Sequence, residues 1–196
     1  QDPDTTAHVG RVLSSPYIIA TDGSAKRNPG PTGWAWVGED GRWAAGSVLE
    51  GTNNVGELLA VLYAIRDHAT VAELTIVADS RYAIDSYCTW IDEHERRGWT
   101  TSTGAPTKNQ PILQELLAVK RERALAGLPD VAFVHVRGHL GHRLNGWADE
   151  RAGRASGHAL AGLERTWSTD RGQDLVDVSV DAPQAAREKA RAARRR

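Results

Sequence analysis

The sequence predicts an α/β fold in which a mixed sheet carries helices on its faces. Three strand-like segments come first, and helix-like and strand-like segments then alternate along the chain. This order is typical of a mixed sheet with helices packed against it. Of the 196 residues, 40% are hydrophobic, which supplies a core for one domain of ordinary size plus some tail.

The leading strands and the first helix are predicted from apolar patterns. Residues 17–21 form a short apolar run that leads directly into Asp22. Residues 33–49 are typical of a hairpin, with Asp40-Gly41 in the position of a two-residue turn. Residues 53–69 carry apolar side chains at helical spacing, namely Val55, Leu58, Leu59, Leu62 and Ile65.

The second half of the chain continues the alternation. Ser80 is a candidate cap for the helix after it, and Pro111 lies in the first turn of a later amphipathic helix. The predicted elements are a strand at 73–80, a helix at 81–97, a helix at 109–126, a strand at 131–138 and a last helix at 144–156.

Composition excludes several classes of protein. No apolar run is long enough to span a membrane, and the first residues lack the pattern of a signal peptide, so we expect a soluble, cytoplasmic protein. Cys88 is the single cysteine, which excludes an internal disulfide and a cysteine-rich metal site. We expect Cys88 to be a small buried residue. The sequence contains no methionine, so we expect a chain that is processed, truncated or part of a longer protein.

The predicted domain organisation has three parts. Residues 1–15 form a flexible N-terminal segment, residues 16–157 the folded domain, and residues 158–196 a flexible tail that is first acidic and then arginine-rich. The net charge of −1 gives no indication of nucleic-acid binding. The basic end of the tail fits either a solvated segment or an electrostatic arm that contacts phosphates.

Four acidic residues lie where a sheet could bring them together. Asp22 and Asp79 each follow an apolar strand, at positions where α/β sheets form their sites. Glu57 lies beside the apolar stripe of the first helix, and Asp149 lies one turn after Asn145 on the last helix.

Each acid also has an alternative structural explanation. Asp22 fits a turn residue, Glu57 fits a capping box with Asn54, Asp79 fits a strand end, and Asp149 fits a solvated helix face. Taken together, four converging carboxylates would repel one another unless cations lay between them. Oxygen ligands without sulfur favour Mg²⁺, or Mn²⁺ in its place, and a pair of such ions suits displacement at phosphorus.

Four segments resemble motifs of the type 1 ribonuclease H family. They are "TDGSAKRNPGPTGW", "TNNVGELLAV", "ADSRYAID" and "VRGHLGHRLNGWADERA", in the order and with nearly the spacing of that family. The resemblance covers residues 17–157. It implies a ribonuclease H-like fold with a five-stranded mixed sheet flanked by helices.

The resemblance also implies an activity. The family cleaves the RNA strand of RNA/DNA hybrids and leaves 5′-phosphate and 3′-hydroxyl ends. The resemblance implies that Asp22, Glu57, Asp79 and Asp149 hold two Mg²⁺ ions, and that Glu57 also senses the ribose 2′-hydroxyl. His139 would assist proton transfer or product departure. We expect a monomer with no membrane partner.

Six further residues match positions that contact the hybrid in relatives. The amides suit such contacts because they both donate and accept hydrogen bonds, although turn and cap chemistry also explains them. The six residues are Asn28, Thr52, Asn53, Asn54, Trp90 and Asn145.

The chain departs from the family pattern between Trp90 and Trp99, which we call the handle. Relatives carry a basic hybrid-binding segment there, whereas this handle has Asp92, Glu93 and Glu95 against two arginines. We therefore expect weaker hybrid binding than in relatives with a lysine-rich handle. Three other interpretations are a non-catalytic hybrid-binding module, another nuclease of the wider superfamily, and a protein that binds metal only for stability.

Overall fold

The computed structural model describes residues 15–137, 142–171 and 175. Within these ranges a π-helical turn, Ser86–Trp90, connects α2 to α3, and a 3₁₀ turn, Thr169–Arg171, follows β6. The strands are β1 (Tyr17–Ala25), β2 (Gly30–Gly38), β3 (Trp43–Gly51), β4 (Leu74–Ala78), β5 (Ala132–His135) and β6 (Thr166–Ser168). The helices are α1 (Asn53–Asp67), α2 (Arg81–Asp85), α3 (Ile91–Arg96), α4 (Gln110–Leu125) and α5 (Arg143–Leu160).

The described strands form one mixed sheet in the order β5-β4-β1-β2-β3-β6. β4 pairs in parallel with β1 and β5, and the remaining pairs are antiparallel. The predicted fold class is confirmed, but the sheet has six strands rather than five. The extra strand, β6, lies in the segment that the sequence analysis assigned to the tail.

β6 is held by one large apolar side chain and by polar contacts around it. Trp167 pairs with Ala45 of β3 and is 1% exposed. The Arg42 guanidinium donates two hydrogen bonds to the Asp170 carboxylate, and its Nη2 lies 2.6 Å from Oδ2. β6 therefore forms because of contacts with residues distant in the chain, which its own polar sequence does not reveal.

The end of the first strand and the turn of the hairpin predicted at 33–49 both differ from the prediction. β1 continues past Asp22 to Ala25, so Asp22 lies within a strand and the turn alternative is wrong. In the connection between β2 and β3, the Gly38 amide donates to the Arg42 carbonyl oxygen. This hydrogen bond closes a turn of three residues, 39–41, instead of the predicted two. Gly41 takes a positive φ of 85°, as this longer turn requires.

Each face of the sheet packs against a long helix. Alternate residues of β1 enter the two cores, with Ile19 on the face of α1 and Ala20 on the face of α5. α1 contributes larger side chains such as Leu58 and Leu62. α5 contributes Ala148, Ala152, Ala155 and Ala159, and these small side chains let its backbone lie near the sheet.

Two glycines in the sheet make backbone contact with the helices. A Cβ at Gly23 would lie 2.3 Å from the Glu57 backbone nitrogen and 2.4 Å from the Gly56 carbonyl carbon. A Cβ at Gly33 would lie 2.2 Å from the Ala152 carbonyl oxygen on α5. Any larger residue at either position would push a helix away from the sheet.

The helix predicted at 81–97 is continuous but irregular. Ser80 caps it as predicted, since its Oγ accepts a hydrogen bond from the Ala83 amide at 3.1 Å. Cys88 lies in the π-helical turn and is exposed, so the expected burial is wrong. In the described part of the chain, no helix has the length and apolar character needed to cross a membrane.

We predict that Trp167→Ala lowers the free energy of unfolding by about 3–5 kcal/mol, because the change leaves a cavity against β3 and α5. Chemical denaturation monitored by circular dichroism measures this. Leu125→Ala is the control, since Leu125 is 89% exposed and its truncation should cost less than about 0.5 kcal/mol. Equal losses for both variants would contradict a structural role for β6.

We also predict that Gly23→Ala lowers the free energy of unfolding by about 1–3 kcal/mol or more, because the new methyl group meets helix backbone that cannot yield cheaply. Gly153→Ala on α5 is the control. Outside its own stretch of helix, no heavy atom of the described residues lies within 4 Å of a Cβ built there, so this variant should gain about 0.5–1 kcal/mol from helix propensity. Wild-type stability of Gly23→Ala in the same denaturation assay would rule out the close contact.

Candidate metal centre and active site

Three carboxylates from three elements converge at one edge of the sheet. Asp22, Glu57 and Asp79 each place one oxygen so that all three oxygens lie within 4.8 Å of one another. Asp22 belongs to β1, Glu57 to α1, and Asp79 follows β4 directly. The site therefore depends on how these elements are aligned.

Strand register brings the two aspartates together. The parallel pairing of β1 with β4 ends at Thr21 and Ala78. Asp22 directly follows Thr21, and Asp79 directly follows Ala78. The Gly23 amide donates a 2.8 Å hydrogen bond to Asp22 Oδ1. Both side chains thus sit where the parallel ladder stops, which is the usual place for a site in an α/β sheet.

Glu57 reaches the cluster because α1 touches β1 at the glycine contact. The cap of α1 is Thr52, whose Oγ1 accepts from the Val55 amide at 3.2 Å. Glu57 lies five residues beyond that cap, so the proposed capping box with Asn54 is wrong. The Gly23–Gly56 contact places Glu57 next to Asp22 instead.

Burial and repulsion make the cluster electrostatically costly. The pKa of Asp22 is raised to about 7, chiefly by burial and then by the charges of Asp79 and Asp149. Burial, followed by the charge of Asp22, raises the pKa of Glu57 well above its usual range. Removing such groups from water disfavours their ionised forms unless a cation compensates.

The cluster has the chemistry of a hard-cation site. Glu57 Oε2 and Asp79 Oδ1 are buried without a hydrogen-bond partner among the described residues. Buried polar atoms are normally paired, so these two oxygens call for a ligand. An all-oxygen donor set suits Mg²⁺ or Mn²⁺ rather than a softer metal. The residues present therefore fit a divalent cation.

Asp149 lies near the cluster but outside its inner group. It is half-buried on α5, and its charge contributes to the raised pKa of Asp22. One turn earlier, Asn145 is 5% exposed and its Oδ1 has no partner in the described part of the chain. The structure thus brings four predicted acids to one region, with three of them in immediate contact range.

The predicted substrate residues around α1 form a linked group. The backbone amide of Asn53 donates to Asn28 Oδ1 at 3.2 Å, and the side-chain Oδ1 of Asn53 accepts from the backbone amide of Ala25 at 2.9 Å. Asn28, Asn53 and Asn54 are exposed, whereas Thr52 is half-buried at the cap. Hydrogen bonds from main-chain amides thus engage the side-chain oxygens of Asn28 and Asn53.

His142 and Trp90 lie within the described part of the chain. His139 lies outside the described residues. His142 caps α5, since its Nδ1 accepts from the Asn145 amide at 3.4 Å. Trp90 is 37% exposed and meets the Tyr82 ring edge-on, with ring centroids 5.8 Å apart. An exposed indole beside a tyrosine offers a flat apolar surface.

Ion pairs neutralise the acids of the handle. Lys120 Nζ lies 3.0 Å from Asp92 Oδ2, and Glu93 pairs with Arg97. Glu95 pairs with Arg121 of α4. Sequence analysis did not identify these partners because Lys120 and Arg121 lie more than twenty residues away.

Sequence analysis also missed His135. Its Nε2 lies 3.2 Å from the carbonyl oxygen of Asp79, at the end of β5. The only sequence signal was its position within the strand predicted at 131–138.

Comparison with known proteins agrees with this geometry. The family model described as "RNase H" matches residues 14–157. Ribonuclease H of Tropheryma whipplei (strain Twist) is 37% identical over 146 residues, which cover 74% of this chain and 87% of that protein. Ribonuclease HI of Streptomyces coelicolor is also 37% identical over 146 residues, covering 71% of this chain and 61% of that protein.

Two solved structures share the fold. One is a type 1 RNase H with the type 2 active-site motif, with a TM-score of 0.58, 24% identity, and coverage of 77% of this chain and 76% of that one. The other is a foamy viral protease-reverse transcriptase in complex with RNA/DNA hybrid, with a TM-score of 0.61 and 18% identity. That match covers 79% of this chain and 22% of the viral chain. From the family model and the curated relatives, we conclude that the chain belongs to the type 1 ribonuclease H family.

Proposed function

We propose that this protein is an endonuclease that hydrolyses the RNA strand of RNA/DNA hybrids and leaves 5′-phosphate and 3′-hydroxyl ends. The observation that carries the proposal is the convergence of Asp22, Glu57 and Asp79, with carboxylate oxygens within 4.8 Å of one another. Two of their oxygens are buried and have no hydrogen-bond partner in the described part of the chain. Family membership then supports the hybrid as the substrate, since the curated relatives are named ribonuclease H.

In this proposal Asp22, Glu57, Asp79 and Asp149 hold two Mg²⁺ ions, for which Mn²⁺ can substitute. When bound, such ions supply electrostatic stabilisation of the charge that develops at phosphorus and lower the pKa of water. The protein contributes the placement of the ligands. Asp22 is 5% exposed and adjoins both Glu57 and Asp79, so we assign it the central ligand position.

The surrounding residues would bind and orient the hybrid. Asn28 lies between β1 and β2, and Asn53 and Asn54 lie at the start of α1; all three are exposed, and Trp90 presents an exposed ring. Glu57 would contact the ribose 2′-hydroxyl, the group that distinguishes RNA from DNA. Thr52 and Asn145 would position the loop and the phosphate backbone, and His139 would assist proton transfer or product departure.

Replacing Asp79 by Asn tests the reaction. We expect cleavage of a labelled RNA/DNA hybrid in Mg²⁺ to fall by at least about 100-fold, because a charged ligand is lost. Without metal, the variant should be as stable as the wild type or more stable, since one repelling charge is gone. Gel analysis measures cleavage, and melting in EDTA measures stability.

The matched control is Asp85→Asn, which changes an aspartate on α2 outside the cluster and should keep activity. RNA duplex, DNA duplex and single-stranded RNA serve as control substrates and should remain intact. Hybrid binding without cutting by the wild type would favour a binding module. Metal-dependent melting with no cutting or binding would favour a metal that serves only stability.

The handle provides a second test. Glu95→Gln should release Arg121 from its ion pair and make it available to phosphates. We expect the Michaelis constant for the hybrid to fall several-fold and its dependence on salt to steepen by about one unit of log-log slope. Steady-state kinetics at several salt concentrations measure both.

Glu115→Gln is the matched control for that variant. Glu115 pairs with Arg66 of α1, with Arg66 Nη2 2.8 Å from Glu115 Oε2. This change therefore also frees an arginine, but one that does not pair with an acid of the handle. Its Michaelis constant should match that of the wild type. If Glu95→Gln left the Michaelis constant unchanged, Arg121 would not reach the substrate.

A further inference from the structure

The main chain of Asp79 leaves the sheet at a point where few groups hold it. β4 ends at Ala78, and Ser80 already caps α2, so Asp79 is a one-residue link between the two elements. The last ladder bond on this side runs from the Val136 amide to the Ala78 carbonyl oxygen, at 3.0 Å. The Asp79 carbonyl therefore lies just beyond the ladder.

His135 supplies the partner of that carbonyl. It is the last residue of β5 and pairs with Ala78 in the parallel register. Its Nε2 lies 3.2 Å from the Asp79 oxygen. Because a carbonyl oxygen can only accept, Nε2 must carry the hydrogen in this contact. The imidazole thus donates across the end of the sheet to the residue that bears a predicted metal ligand.

Among the described residues, other support for the Asp79 main chain is sparse. The pairing of β1 with β4 stops at Ala78, and β5 is the edge strand of the described sheet, with four residues. The Asp79 side chain does not anchor its own main chain through Oδ1, which is buried and unpartnered among the described residues. A metal site, however, requires ligands held in a fixed orientation, and groups behind the ligands commonly provide that.

We propose that His135 is a positioning residue, which fixes the Asp79 main chain so that its carboxylate points into the cluster. The proposal rests on the proposed function, because it takes Asp79 to be a metal ligand. None of the motifs that identify the family includes His135. Its effect should appear in metal affinity rather than in hybrid affinity, since it contacts the backbone of a ligand.

The test compares His135→Leu with His135→Gln. Leu keeps a similar volume but donates no hydrogen bond, whereas the Gln side-chain amide can donate from a position close to that of Nε2. We expect His135→Leu to raise the Mg²⁺ concentration for half-maximal hybrid cleavage by about 10–100-fold. The Michaelis constant for the hybrid at saturating Mg²⁺ should stay unchanged, and His135→Gln should restore most of the metal affinity.

Val134→Thr is the matched control. Val134 is a neighbouring exposed residue of the same edge strand, so this change perturbs β5 without removing the contact to Asp79. Its metal dependence should equal that of the wild type. A purely structural role of His135 would instead lower the melting temperature of His135→Leu in EDTA and leave the Mg²⁺ dependence unchanged, which would overturn the proposal.

A metal titration followed by melting temperature separates the two hypotheses. It reports the Mg²⁺ midpoint without requiring cleavage. If the wild type binds Mg²⁺ but cuts no hybrid, the proposed function fails, and the midpoints of wild type and His135→Leu still decide the role of His135. Equal midpoints would overturn the positioning role, and a higher midpoint for His135→Leu that His135→Gln reverses would support it.

Discussion

Direct backbone contact between the sheet and its two long helices is the constraint on which the rest of the structure depends. Gly23 touches the backbone of α1 at Gly56, and Gly33 touches the backbone of α5 at Ala152. Those helices carry Glu57 and Asp149, so the depth at which they pack sets how far these carboxylates lie from Asp22. The absence of a Cβ at two sheet positions thus controls the geometry of a site built from separate elements.

The same contact creates an electrostatic cost. Packing α1 closely brings Glu57 beside Asp22 and Asp79, and burial raises the pKa of both Asp22 and Glu57. A structure selected only for stability would place apolar groups there, as it does elsewhere in the two cores. Unfavourable groups concentrated at one edge of a well-packed sheet indicate that the site serves binding of a cation rather than stability.

The handle illustrates how tertiary structure changes the meaning of a charge pattern. From the sequence, its acids predict a weakly basic surface. In the structure they form ion pairs with Arg97, Lys120 and Arg121. Each acid therefore neutralises a basic side chain that could otherwise contact a phosphate. Exposed pairs of this kind add little stability. Their main consequence is to limit the positive charge that this surface offers.

The sequence by itself determined the family and the fold class, and it predicted which acids the fold brings to one region, because ordered motifs and apolar runs are local features of a sequence. Register accounts for the meeting of two of these acids: the apolar runs of β1 and β4 lead into Asp22 and Asp79, at the point where the parallel pairing of the two strands stops. Only the tertiary structure decided the sixth strand, the exposure of Cys88, the pairing of Glu95 with Arg121 and the contact of His135 with Asp79. Three of these depend on residues distant in the chain, and the exposure of Cys88 depends on how its helix packs, so local patterns carry no signal for them.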